Sequence, residues 1–133
     1  MPAVDFSEWA DVDGLTLTLG GRTYTAPPPS VRAMRKVLAA AVRGEVNLGF
    51  VKGPVPDEVQ KVLDTIGPDE HPALGPAYDR LVKDDVPQPV VDRMGYYAVF
   101  YWARGKAYAD SLARVIWTPT EASESDGEAP GKG

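Results

Sequence analysis

The sequence contains no cysteine and a single histidine, His71. The first absence excludes a disulfide scaffold, a thiol nucleophile, Cys-ligated zinc and an iron–sulfur cluster, and the second removes most remaining metal sites. Cations are also short: 14 Lys and Arg face 19 Asp and Glu, giving a net charge of -5 and a pI near 4.8. That balance is opposite to the electrostatic footprint of a general nucleic-acid binder, so no nucleic-acid partner is expected. Residues 1–13 hold Asp5, Glu8, Asp11 and Asp13 and no Lys or Arg, so the basic start of a secretory signal is missing. The longest uncharged apolar run, Met94 to Ala103, is ten residues, whereas a membrane-spanning helix needs roughly 20. The expectation is a chain that stays in the cytosol of the cell that makes it. Phosphate-binding glycine loops, an HExxH zinc motif and EF-hand spacing are all absent, which leaves nucleotide and zinc enzymes without a signature.

What is present suits one domain. At 133 residues and 44% hydrophobic content, the chain can bury about two-thirds of its unfolded surface without a metal or disulfide staple. Leu15, Leu17 and Leu19 alternate with Thr16 and Thr18, the period of a half-buried strand. Gly20 and Gly21 suit a two-residue turn with positive φ, and Arg22 to Thr25 return as the partner strand. Pro27, Pro28 and Pro29 end the pair and form a stiff connector. Ser30 is a natural N-cap for a helix reaching about Arg43, with Val31, Met34, Leu38, Ala41 and Val42 as its apolar stripe and Gly44 as its C-cap. A loop is expected from Glu45 to Pro56. A short helix starting at Asp57 buries Val59, Val62, Leu63 and Ile66 before Gly67 and Pro68 stop it. A further helix over 73–83 buries Leu74, Tyr78, Leu81 and Val82.

The region from Val90 to Trp117 carries seven of the twelve aromatic residues: Tyr96, Tyr97, Phe100, Tyr101, Trp102, Tyr108 and Trp117. Val90, Met94, Tyr97 and Tyr101 share one stripe while Tyr96 and Phe100 project elsewhere. The segment is therefore apolar nearly all round, to be buried or partner-bound, with Gly105 as a point of division. These seven aromatics are the candidate partner-binding residues, by helix docking in a groove or by core packing that leaves a patch. Residues 118–133 hold no large apolar side chain and carry -3 of the -5 net charge; they are expected to be a disordered acidic tail. The organisation is an N-terminal arm at 1–13, a single globular domain at 14–117 and the tail. The fold class is α+β, mostly α, with an N-terminal β-hairpin (15–25) followed by four to five helices.

Two polar clusters invite a chemical reading. Asp69, Glu70 and His71 place carboxylates beside an imidazole, the arrangement that orients a general base. They lie between Pro68 and Pro72, where a water-facing inter-helix turn is the stronger expectation. Asp84 and Asp85 likewise read as an exposed turn before Pro87. Neither is assigned a catalytic, metal or cofactor role, and the chain is read as a non-enzyme.

The order of these parts carries a resemblance. LTLGGRTYTAPPPS at 17–30, LGPAYDRLVKDDVPQPVVDRMGYYAVFYWARG at 74–105 and an acidic tail together resemble the tail assembly chaperones of long-tailed (siphovirus-type) phages of actinobacteria. The shared elements are a Leu-Gly-x-x-Tyr helix, a Val-Pro-x-Pro-Val connector and an aromatic helix ending near the Trp-x-x-Gly element at Trp102 to Gly105. The resemblance covers residues 14–117 and brings no catalytic residue. It implies binding to the tape measure protein, keeping that client soluble and promoting tail-tube assembly in the host cytoplasm, without a place in the mature virion. It also implies a longer form of the chain made by -1 ribosomal frameshifting near the C-terminus, where Gly131 and Lys132 are codable as GGG AAA. Implied partners are the tape measure protein, that longer form, the tail-tube protein and further copies of the chain. Two other readings stay open. One is a small structural virion protein, for head–tail completion or the minor tail. The other is a small enzyme or regulator using the Asp69–His71 region, which needs those residues to line a pocket.

Overall fold

A computed structural model describes residues 3–117. Strands β1 (Leu15–Leu19) and β2 (Arg22–Ala26) form an antiparallel hairpin, followed by helices α1 (Val31–Asn47), α2 (Asp57–Leu63), α3 (Pro76–Lys83), α4 (Gln88–Arg104) and α5 (Lys106–Trp117). The expected α+β class, a hairpin and then helices, is the observed one. The expected disordered tail lies outside the described residues.

The hairpin forms for the reasons its sequence states. Gly20 and Gly21 turn with φ of 56° and 85°, and Leu19 pairs with Arg22 across them. That register sets Leu15 opposite Ala26 and Leu17 opposite Tyr24, so one face is apolar and the Thr side chains point out. Leu15, Tyr24 and Ala26 are buried. The hairpin is tied to α3 by polar contacts at its edge: the Arg80 Nη2 group donates to the Thr25 carbonyl at 2.7 Å, and the Tyr24 hydroxyl donates to Asp84 at 2.7 Å.

Ser30 caps α1 as expected, its Oγ accepting from the Ala33 N–H at 3.1 Å. The helix does not stop at Gly44. It runs one turn further to Asn47, and Gly49, at φ 82°, provides the left-handed exit that satisfies the last carbonyls. Gly44 is internal because the neighbouring helix comes close. A Cβ there would lie 2.9 Å from the Phe100 ring and 3.1 Å from the Tyr96 hydroxyl. The buried face of α1 accordingly centres on Val37, Ala41, Gly44 and Glu45. Val31 and Leu38, assigned to the stripe from the sequence, are exposed. Val82 of α3 is likewise exposed and Ala77 takes its place inside, because the helix starts at Pro76 and leaves Leu74 buried in the preceding turn.

Two apolar clusters fill the interior. The first joins the hairpin, α1, α3 and the first half of α4 through Leu15, Tyr24, Val37, Leu74, Leu81 and Val91. The second joins α1, α4 and α5 through Ala41, Phe100, Ala109 and Leu112. α4 belongs to both and is divided from α5 at Gly105, whose φ of 101° a side chain rarely adopts.

Candidate functional site

The seven aromatic residues of α4 and α5 do not share one surface. Phe100 is 1% exposed and closed into the second cluster, so it offers nothing to a partner. Tyr96 meets it edge-on at 5.1 Å and Tyr108 stacks on it at 5.7 Å. Trp117 meets Tyr96 at 6.0 Å and lies under the Arg93 guanidinium at 5.9 Å. Tyr97, Tyr101 and Trp102 form a second group that packs on the first cluster. The Tyr101 ring lies 5.0 Å from Trp102, whose indole N–H donates to the Ala73 carbonyl at 3.1 Å. All but Phe100 are half-buried, each keeping one edge at the surface.

The polar tips of Tyr97, Trp102 and Tyr108 are tied down. The Tyr97 hydroxyl donates to Asp110, which also receives Lys106 at 2.6 Å; burial first, and then that carboxylate, push Tyr97 up to about 12. It therefore stays a donor at ordinary pH. Glu45, only 8% exposed, accepts from Arg104 Nε and Nη2 at 3.0 and 2.8 Å and from the Tyr108 hydroxyl at 2.7 Å. The Arg104 hydrogen bonds hold its carboxyl below the ordinary carboxylate value despite burial. One buried carboxylate thus ties α1, α4 and α5 together. Sequence reading placed Glu45 in a loop and missed it; the only available signal was an acid one helical turn after Ala41.

Among the described residues the exposed large apolar side chains lie outside the seven. Phe50, in the α1–α2 loop, faces Ala107, Tyr108, Ser111, Leu112 and Val115 of α5 across a groove of about 470 Å³. Phe50 is 59% exposed and Val115 is 79% exposed. A Phe-Val pair set between Gly49 and Gly53 was the sequence signal for it. A second concentration sits in the arm, where Phe6 and Trp9 meet edge-on at 5.2 Å and both are exposed.

The Asp69–His71 cluster lies in the inter-helix turn expected of it, with Asp69 exposed, but His71 turns inward. Glu70 is turned onto Lys36 at 2.7 Å and accepts from the Gly67 N–H at 3.0 Å. His71 packs on Tyr78 in a tilted arrangement at 4.6 Å and fills the space left by Gly95, where a Cβ would sit 2.8 Å from Nδ1. Burial pushes its imidazole pKa down, with Asp92 opposing. Glu70, His71, Arg43, Asp92 and Tyr96 do line a cavity of about 550 Å³ between α1, α4 and the α2–α3 connection. Asp84 and Asp85 form the exposed turn expected of them, and Asp84 also receives Tyr24 and stands 3.4 Å from Arg22. Among the described residues no group of three or more His, Asp and Glu is placed to hold a metal ion, and no helix is long and apolar enough to cross a membrane.

An N-terminal hairpin laid on a five-helix body joined by a buried carboxylate defines a small α+β protein with two uncovered apolar regions. The chain belongs to the family described as a domain of unknown function, DUF7426, whose model matches residues 4–132. No curated protein matches the chain, and neither does any solved structure.

Proposed function

We propose that this protein is a tail assembly chaperone of a long-tailed phage, a non-enzymatic binder of the tape measure protein that acts in the host cytoplasm. The observation that carries the reading is the open groove between Phe50 and α5. Uncovered apolar side chains of this size, lined up along a helix, suit the apolar face of a client helix. A long helical client presents many such faces, so weak contacts repeated along it retain the chaperone by avidity and still permit release. The resemblance of residues 14–117 to that family supplies the client. Of the aromatic residues of α4 and α5, Tyr108 lines the groove itself, and the half-buried edges of Tyr96, Tyr97, Tyr101, Trp102 and Trp117 offer further contact area elsewhere on the surface; the chain and a frameshifted longer form made from the same start would together help recruit tail-tube subunits.

The test is co-expression of the full chain with the tape measure protein of the same genome. Soluble client that co-purifies with the wild type, and is lost with Phe50→Asp or Val115→Glu, is the expected result. Insoluble client with the wild type and with the longer form, together with recovery of this chain from purified virions, would replace the chaperone by a structural virion component.

A further inference from the structure

A second feature of the surface concerns the chain's contact with itself and does not depend on the client. Between α1 and α2 runs a groove of about 400 Å³ lined by Arg32, Arg35, Lys36, Lys61, Val62 and Thr65. In a chain of net charge -5, this lining has four cations and no carboxylate. Glu70 pairs with Lys36, whereas Arg32, Arg35 and Lys61 have no ion pair among the described residues. Val31, 84% exposed, extends the groove at the start of α1, where it joins Arg32 and Arg35 in a neighbouring hollow.

The chain's own N-terminal arm has the complementary chemistry. Asp5, Glu8, Asp11 and Asp13 are interleaved with Phe6, Trp9 and Val12, with no cation among residues 1–13. The arm is pre-shaped: the Ser7 N–H and Oγ both donate to Asp5 at 2.9 and 2.6 Å, and a single 3-10 turn over Ser7–Trp9 brings the two rings together edge to face. Its described residues before Gly14 are all exposed, and its side-chain hydrogen bonds stay within the arm. Among the described residues of one chain, arm and groove are both left open.

We propose that the arm of one copy docks in the α1–α2 groove of a second copy. Carboxylates of the arm pair with the guanidinium groups of Arg32 and Arg35, and the Phe6 and Trp9 rings stack on those planar cations and on the aliphatic stems beside Val31 and Val62. The acidic residues of 118–133 share the charge but include no large apolar side chain, so they lack the rings that would fill the groove. Because arm and groove are different surfaces, each contact joins one arm to one groove: two copies that exchange arms close into a pair, and copies joined head to tail form a ring or a chain. Exposed charges make it weak and salt-sensitive.

Sedimentation velocity of the full-length protein without client tests this. The wild type should associate with rising concentration, less at high salt. Arg32→Glu with Arg35→Glu, or Glu8→Lys with Asp11→Lys, should each weaken association by about tenfold or more while leaving the helical circular dichroism unchanged. Mixing the two variants should restore it, since each reversed arm then meets a reversed groove. A wild type that is monomeric throughout, as when an arm folds onto its own groove, would overturn the proposal. So would arm-reversed protein that associates like the wild type, as when the acidic tail or the α5 groove makes the contact, or a mixture that stays monomeric while the wild type associates.

Discussion

The α4–α5 region and the N-terminal arm are the two places where aromatic residues gather, and they use them in opposite ways. In the helices, Phe100 is sealed and the other rings are half-covered, with Tyr97, Tyr108 and Trp102 bound through their polar atoms to Asp110, Glu45 and Ala73. In the arm, Phe6 and Trp9 cover only each other. The difference teaches that aromatic content reports where binding energy is available, and that the surrounding chain decides whether it goes into the fold or stays at the surface. The arm has no second apolar element of its own to close over its rings. α4 has one on each side.

Urea unfolding of single variants would break this contrast if it were false. The largest effect belongs to Phe100→Ala, expected to cost about 3–5 kcal/mol because it empties the space between α1, α4 and α5. Glu45→Ala should cost about 2–3 kcal/mol, since Arg104 and Tyr108 would lose a shared, largely buried acceptor. Gly44→Ala should destabilise by about 1–2 kcal/mol, although the same change in an exposed helix stabilises by about 1 kcal/mol; the sign is decided by the Phe100 ring at 2.9 Å. A stabilised Gly44→Ala would show that the helices separate easily. At the other extreme, Phe6→Ala and Trp9→Ala should leave the unfolding free energy within about 0.5 kcal/mol of wild type at concentrations where the chain is monomeric, and a larger loss from either under those conditions would mean that the arm belongs to the core.

Acid sharpens the same comparison. In the fold, Glu45 is held below the 4.5 of its ordinary value, chiefly by Arg104. It binds a proton less readily folded than unfolded, so its contribution is complete above that ordinary value and fades as the pH falls through the lower folded one. The stability gap between wild type and Glu45→Gln, measured by urea titration at several pH values, should therefore narrow on acidification below about 4.5. A gap that is flat with pH would show Glu45 acting through packing alone.

Much of the fold was legible because its signals are local. The alternation of Leu and Thr, the Gly20–Gly21 turn, Ser30 as a cap and Gly105 as a break each state their structure within a few residues. Where the local signal misled, a neighbour distant in sequence had overruled it. Gly44 looks like a helix end and is instead the contact point for α4; Leu38 looks like core and is exposed because the buried face of α1 is turned by Gly44 and Glu45 toward Phe100 and Arg104. The same holds for the candidate surface. The seven aromatics could be named from the sequence, and Phe50 was visible there as an apolar residue between two glycines, but its place opposite Val115 was not, since that depends on how the α1–α2 loop returns to α5.

By itself, then, the sequence determined the kinds and order of elements, the absence of cysteine chemistry and the charge contrast between an acidic arm and the cations of α1, all properties of neighbouring residues. Only the tertiary structure decided which aromatic rings are closed, that Glu45 is the joint of three helices, and that the cations of α1 and α2 line one groove. Those outcomes depend on groups up to 63 residues apart meeting within hydrogen-bond distance, and no local pattern encodes that meeting.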